Sequence, residues 1–223
     1  MHRRNIPVVL IVALSLLGAG RADAQVCLGR PSLNVAAVNA GLRLDRRDDA
    51  TGFGAGVSAG ADRAFAGLAV SNLRYRELDA SASSVSAYAG WSVPPSIATL
   101  FICPLIQVGY GRGPNEDSTT YTVQRSSQSA LAGLAVAGQI AVSNKVSIIP
   151  NVTAGVLLQR STRTGNGASE SGGDLGATIS GGLSVLFTDR LAIQSAVRLP
   201  VGFGDQDPVY SLGVILGFRK RTP

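Results

Sequence analysis

Residues 209–218 read VYSLGVILGF, and the alternation in this stretch decides the fold. Tyr210, Leu212, Val214, Leu216 and Phe218 are bulky and apolar, whereas Ser211, Gly213 and Gly217 between them are small and uncharged. Successive side chains of a strand point to opposite faces, so a period of two marks a strand with one bulky and one nearly empty side. A soluble antiparallel sheet would set its apolar face on a core and carry charge on the wet face. Here the second face has no charge, and only Ile215 interrupts its run of small residues.

Working outward from this stretch, ten segments with partial period-two alternation can be drawn, at 32–44, 51–61, 64–77, 81–93, 100–112, 126–142, 146–162, 174–188, 191–201 and 209–219. The second sets Phe53, Ala55, Val57 and Ala59 against Gly52, Gly54, Gly56, Ser58 and Gly60. The eighth sets Leu175, Ala177, Ile179, Leu183, Val185 and Phe187 against Asp174, Gly176, Thr178, Ser180, Gly182 and Ser184. The ninth opposes Leu191, Ile193, Val197, Leu199 and Val201 to Gln194 and Arg198. The first and third segments are ambiguous by this test. Lipid outside and a small, weakly polar lumen inside account for the clear cases.

The connections alternate in length. Those at 62–63, 94–99, 143–145 and 189–190 are mostly tight, whereas those at 45–50, 113–125, 162–173 and 202–208 are longer and polar, with a short exception near Asp79. Turns at one end and long loops at the other are the arrangement of an outer-membrane barrel, with turns in the periplasm and loops outside the cell. On that orientation Phe65, Trp91, Phe101, Phe187 and Phe218 are expected at the periplasmic rim. Phe53, Tyr75, Tyr110, Tyr121, Phe203 and Tyr210 are expected at or beyond the outer one. Eleven of the twelve aromatic residues then belong to two interfacial girdles, with Tyr88 nearer mid-strand.

The N-terminus places His2, Arg3 and Arg4 before an apolar run and closes on Ala22-Asp23-Ala24, which predicts a secretory signal over residues 1–24. Counted from Val8 to Gly20 the run has 13 residues, short of the roughly 20 a spanning helix needs. Residues 25–223 form the expected single barrel domain. Processing removes Arg3, Arg4, Arg21 and Asp23 from 20 basic and 14 acidic residues, leaving 17 against 13. It also removes the only histidine, His2. Cys27 and Cys103 remain, and a pair of cysteines in an oxidising compartment is expected to form one disulfide.

From this patterning the chain resembles the small bacterial outer-membrane β-barrel proteins, the OmpA-like or porin-like barrel group, over its whole mature length. The resemblance implies a closed antiparallel up-and-down transmembrane β-barrel of about ten strands, with eight and twelve as alternatives. It also implies that Tyr210, Leu212, Val214, Leu216 and Phe218 are the closing-strand signal read by the barrel-assembly machinery. Arg219, Lys220, Arg221, Thr222 and Pro223 follow the aromatic residue that usually ends such chains. Outer-membrane lipid and lipopolysaccharide are the implied surroundings, and the chain is expected to be monomeric and not to bind nucleic acid.

Some barrels of this group are enzymes that move protons through histidine, which titrates near neutral pH without special tuning. A mature chain without histidine excludes a Ser-His or Asp-His mechanism, so no catalytic residue, metal or cofactor is expected. The glycine-rich stretches at 52–60 and 109–114 lack the Lys-Ser/Thr ending and following helix of a phosphate loop. Asp45, Asp48 and Asp49, with Asp205 and Asp207, read as solvated loop charge. Asn151, Gln159, Gln194 and Arg198 are the candidates for lumen-facing polar groups, with Arg74 and Arg76 joining them if the third strand faces that way. A plugged, structural or surface barrel is the favoured function, with a minor pore as a variant of it. The alternatives are a narrow channel for small solutes and an adhesin using 113–125 and 162–173. The Cys27–Cys103 bridge is expected to tie the N-terminal segment across the periplasmic end.

Overall fold

A computed structural model describes residues 27–28, 37–61, 63–77, 80–93, 100–117, 122–165, 168–187, 190–203 and 206–219. The signal expected at 1–24 and the basic tail beyond Arg219 lie outside the described residues. The strands are β1 (Ala37–Arg46), β2 (Ala50–Ala61), β3 (Ala64–Tyr75), β4 (Ser81–Trp91), β5 (Leu100–Arg112), β6 (Glu116–Asp117), β7 (Thr122–Gly138), β8 (Ile140–Ser143), β9 (Val146–Gly165), β10 (Ala168–Phe187), β11 (Leu191–Val201) and β12 (Val209–Arg219). All pair antiparallel with their neighbours, and β12 returns to β1 from Ala37↔Arg219 to Arg46↔Tyr210. The ring runs β1-β2-β3-β4-β5-β7-β9-β10-β11-β12, so ten strands close the barrel. Two short strands stand outside that count: β6 pairs with the start of β7, and β8 continues the line of β7 against the start of β9.

Parity along each strand assigns the faces. Leu42 and Leu44 on β1, Phe53 and Val57 on β2, Leu68 and Val70 on β3, Val85 on β4 and Ile106 and Val108 on β5 are exposed on the outside. Leu134, Val152, Val156, Leu158, Leu175, Ile179, Leu183, Ile193, Leu199, Leu212 and Val214 complete the belt over β7 and β9–β12. Leaving such side chains in water costs about 1.5–3 kcal/mol each relative to burial. An apolar belt on every strand of a closed ring is therefore stable only against hydrocarbon, and closure leaves no sheet edge in that layer. The bulky face of β12 belongs to this belt: Tyr210, Leu212, Val214, Leu216 and Phe218 are 45–55% exposed.

The aromatic expectation needs correction. Leu68 and Val70 fix the outward parity of β3, so Phe65 points inward and is 2% exposed. Ile102 and Ile106 do the same for β5, and Phe101 packs against the two interior clusters. These two residues fill the lumen and do not stand in a girdle. Trp91 and Phe218 remain exposed at the turn end, and Phe53, Tyr110 and Tyr210 at the loop end.

A second difference concerns the outer loops. Much of 113–125 and 162–173 is strand: β7 begins at Thr122, β9 runs on to Gly165 and β10 starts at Ala168. The ladder continues because Gln124↔Thr164 and Arg125↔Arg163 pair β7 with β9 while Ser169↔Thr164 and Glu170↔Arg163 pair β9 with β10. Backbone hydrogen bonds satisfy this segment although its composition is that of a loop. The 20 residues of β9 and of β10 far exceed the roughly 9–11 that span a bilayer, so this three-stranded corner projects beyond the loop-end rim.

Candidate functional site in the lumen

The lumen is closed at the turn end and charged toward the loop end. The closure is built from inward positions that the small-face pattern leaves large. Cys27, Phe65, Cys103, Leu105 and Ala135 form one buried cluster, with Leu28, Tyr88, Phe101 and Leu131 packed on it. Ala137, Ile149, Leu186, Ala192 and Ile215 form a second, which Phe101 also touches. Ile215, the residue that breaks the small face of VYSLGVILGF, is 6% exposed and is one of the side chains that fill this end. The Phe65 and Tyr88 rings lie 6.5 Å apart at 52°. Tyr88 also covers Gly67, where an added Cβ would collide with its phenol group, so this aromatic residue near mid-strand occupies space that a glycine keeps open.

Residues 27–28 lie within this closure. Cys27 and Cys103 are joined by a disulfide, and both are fully buried. The Leu28 carbonyl accepts a 2.9 Å hydrogen bond from Gln194 Nε2. Cys103 belongs to β5 and Gln194 to β11, four places apart in the ring of ten. A two-residue piece fastened to both therefore reaches across the lumen. A crosslink between positions 76 residues apart restricts the unfolded chain by about 4 kcal/mol on the chain-entropy account.

Nearer the loop end, Arg43 Nε donates to Asp45 Oδ2 at 2.9 Å, and Ser211 Oγ donates to Asp45 Oδ1 at 2.7 Å. Leu42 and Leu44 point outward, which places Arg43 and Asp45 together on the inner face. The empty face of β12 meets a need here. The Arg43 side chain lies over Gly54 and Gly213, where an added Cβ would come within 2.9 Å of Arg43 Nε and 3.2 Å of Arg43 Cβ. Asp45 is 6% exposed, so it is not the solvated loop charge its surroundings in the sequence suggest, whereas Asp48 and Asp49 are exposed.

The four polar candidates all have inward parity but occupy different levels. Gln194 holds the closure. Asn151 donates from Nδ2 to the Ile149 carbonyl at 3.4 Å, just above the second cluster. Arg198 is exposed at the loop end of β11, between Ser180 of β10 and Val209 of β12. Gln159 pairs with Asp174 and Ser129 in the projecting corner. The structure does not bring them together as one site. Arg74 stands on the outward parity of β3 and Arg76 in the turn beyond it.

A closed ring, an apolar belt and a lumen blocked at one end define a membrane-spanning β-barrel. No protein-family model matches the chain, and no curated protein does. Solved structures share the barrel form at low identity. The N-terminal β-barrel domain of Pseudomonas aeruginosa OprF is 15% identical with a TM-score of 0.39, the match covering 82% of this chain and 98% of that one. Ail, the attachment invasion locus protein of Yersinia pestis, is 13% identical with a TM-score of 0.41 over 82% and 97%. The translocator domain of autotransporter NalP from Neisseria meningitidis is 13% identical with a TM-score of 0.48 over 82% and 88%.

Proposed function

We propose that the chain is a monomeric, non-enzymatic outer-membrane β-barrel with a structural or surface role, and that its lumen does not conduct. The observation that carries this reading is the buried apolar closure at the turn end, with Leu28 held inside it by the disulfide and by Gln194. An ion crossing this layer would lose its hydration without gaining polar partners, a cost of many kcal/mol. The absence of histidine from the mature sequence supports the non-enzymatic part, and the outward apolar belt supports contact with lipid and lipopolysaccharide. The planar lipid bilayer is the test: the purified, oxidised chain is expected to leave the current at baseline. Reproducible single-channel steps would favour a narrow solute channel.

A second reading is favoured by the projecting corner of β7, β9 and β10, which raises an extended polar sheet above the rim. Surface attachment through this corner predicts that deleting 160–173 abolishes adhesion while the barrel persists as a heat-modifiable gel band. Undiminished adhesion would remove the corner from consideration. Fractionation supplies a further expectation. The protein should pellet with outer membranes, require detergent for release and migrate differently before and after boiling. A soluble periplasmic protein with no such shift would contradict the membrane assignment.

A further inference from the structure

We infer that the loop-end half of the lumen is a binding site for a small oxyanion, the sulfate, phosphate or carboxylate group of a solute entering from outside. Arg43 and Asp45 of β1 and Arg198 of β11 share the inward face at this end, and Arg47 follows in the turn after β1. Arg198 lies in the field of Arg43, Arg47 and Asp45, and Asp45 already accepts from both Arg43 and Ser211. Of these four groups Asp45 offsets one of three positive charges, while Asp48 and Asp49 are exposed in the turn after Arg47 and Asp207 lies two residues before Val209. A cleft of one sign within a wall of low dielectric focuses its field on the space it encloses, so an anion is drawn to this zone.

The register places the donors around one space. Ser180 faces Arg198 on β11, and Arg198 faces Val209 on β12. Arg46 faces Tyr210 at the end of the β1–β12 ladder, and Arg47, the next residue of the chain, opens the turn to β2 with its N–H on the Ala50 carbonyl. The loop ends of β11, which carries Arg198, and of β1, which leads into Arg47, are two strand steps apart, about 10 Å, within the combined reach of two arginine side chains. Two polar atoms here are buried with no hydrogen-bond partner among the described residues, Arg47 Nε and Thr178 Oγ1. Thr178 is 7% exposed, has inward parity on β10 and lies one inward position beyond Ser180, opposite Pro200. Buried donors without partners are costly, and an oxyanion supplies acceptors to a hydroxyl and to planar guanidinium forks at once. The inward carboxylates of β10, Asp174 and Glu170, lie farther out in the projecting corner, where Glu170 stands opposite Arg163.

Isothermal titration of the purified barrel in non-ionic detergent tests this, with inorganic sulfate and inorganic phosphate against chloride at constant ionic strength. Saturable binding of one anion per chain is expected. Arg198→Gln and Arg47→Gln should each weaken it by about tenfold or more, whereas Asp45→Asn should tighten it. Arg74→Gln, on the lipid-facing side, should leave it unchanged. The heat-dependent gel shift of each variant shows whether it has folded. Absence of saturable heat with the native chain, or equal affinity in folded Arg198→Gln and Arg47→Gln, would overturn the assignment. The result is independent of whether the lumen conducts, because a dead-end vestibule and a through-channel both hold such an anion.

Discussion

Removing residues 25–30 and replacing Cys103 by serine is expected to turn a silent barrel into one that passes ions, most clearly when Phe65→Ala is added. The deletion takes away Cys27 and Leu28, the part of the closure contributed from outside the ring of strands. Phe65 is the largest fully buried side chain among the described residues, so its truncation widens the same layer. The Cys27→Ser/Cys103→Ser pair without deletion separates tether from filling. It should lower stability by several kcal/mol, as loss of a crosslink over a long loop does, while Leu28 can still insert. Its bilayer trace is expected to show brief openings, and the deleted, Phe65→Ala chain sustained ones. Traces at baseline for all three folded variants would mean that wall residues such as Leu105, Ile149, Leu186 and Ile215 close the lumen by themselves.

The barrel could be read from residues because its exterior obeys a simple period. Tyr210, Leu212 and Val214 alternate with the small Ser211 and Gly213, as do Ala55 and Val57 with small partners on β2 and Ile179 and Leu183 on β10. Each of those faces has one neighbour, the lipid, and one requirement, hydrophobicity. The interior has no such uniformity. A lumen position is small where a neighbouring side chain crosses it, as Gly54 and Gly213 are beneath Arg43, and large where the lumen must be filled, as Ile215 is. Nothing local in β12 says which applies, because the crossing side chain comes from β1 and the filling neighbours from β7, β9, β10 and β11. The third strand is ambiguous for a related reason: Phe65, Leu73 and Tyr75 on its inner face rival Leu68 and Val70 on its outer face. Phe65 and Phe101 consequently read as rim aromatics. Arg43 and Asp45 left a detectable signal, since the outward Leu42 and Leu44 flank Arg43 and force both charges inward. The projecting corner left none, because Thr, Ser, Arg and Gly in a ladder and in a loop have the same composition.

The lipid-facing reading of VYSLGVILGF predicts a cost that depends on depth. Val214 lies midway along β12, and Val214→Arg is expected to destabilise the barrel by about 2–4 kcal/mol, the range for a cation at the bilayer midplane. Leu212→Arg should cost less, and Tyr210→Arg, at the loop-end rim, about 0–1 kcal/mol. Reversible urea unfolding in lipid vesicles measures all three. Burial in a protein core would give a different ordering, because Tyr210, Leu212 and Val214 would then lose packing according to their size and neighbours, irrespective of distance from a midplane. Costs that fail to fall from Val214 to Tyr210 would therefore contradict lipid contact at this strand. The inner face supplies the complementary measurement. Gly213→Val places its Cβ 2.9 Å from the Leu42 carbonyl and against Arg43, so it is expected to destabilise without any depth trend and to disturb the Arg43–Asp45 ion pair. One strand then reports two environments on alternate residues, hydrocarbon through its even positions and a crowded, charged lumen through its odd ones.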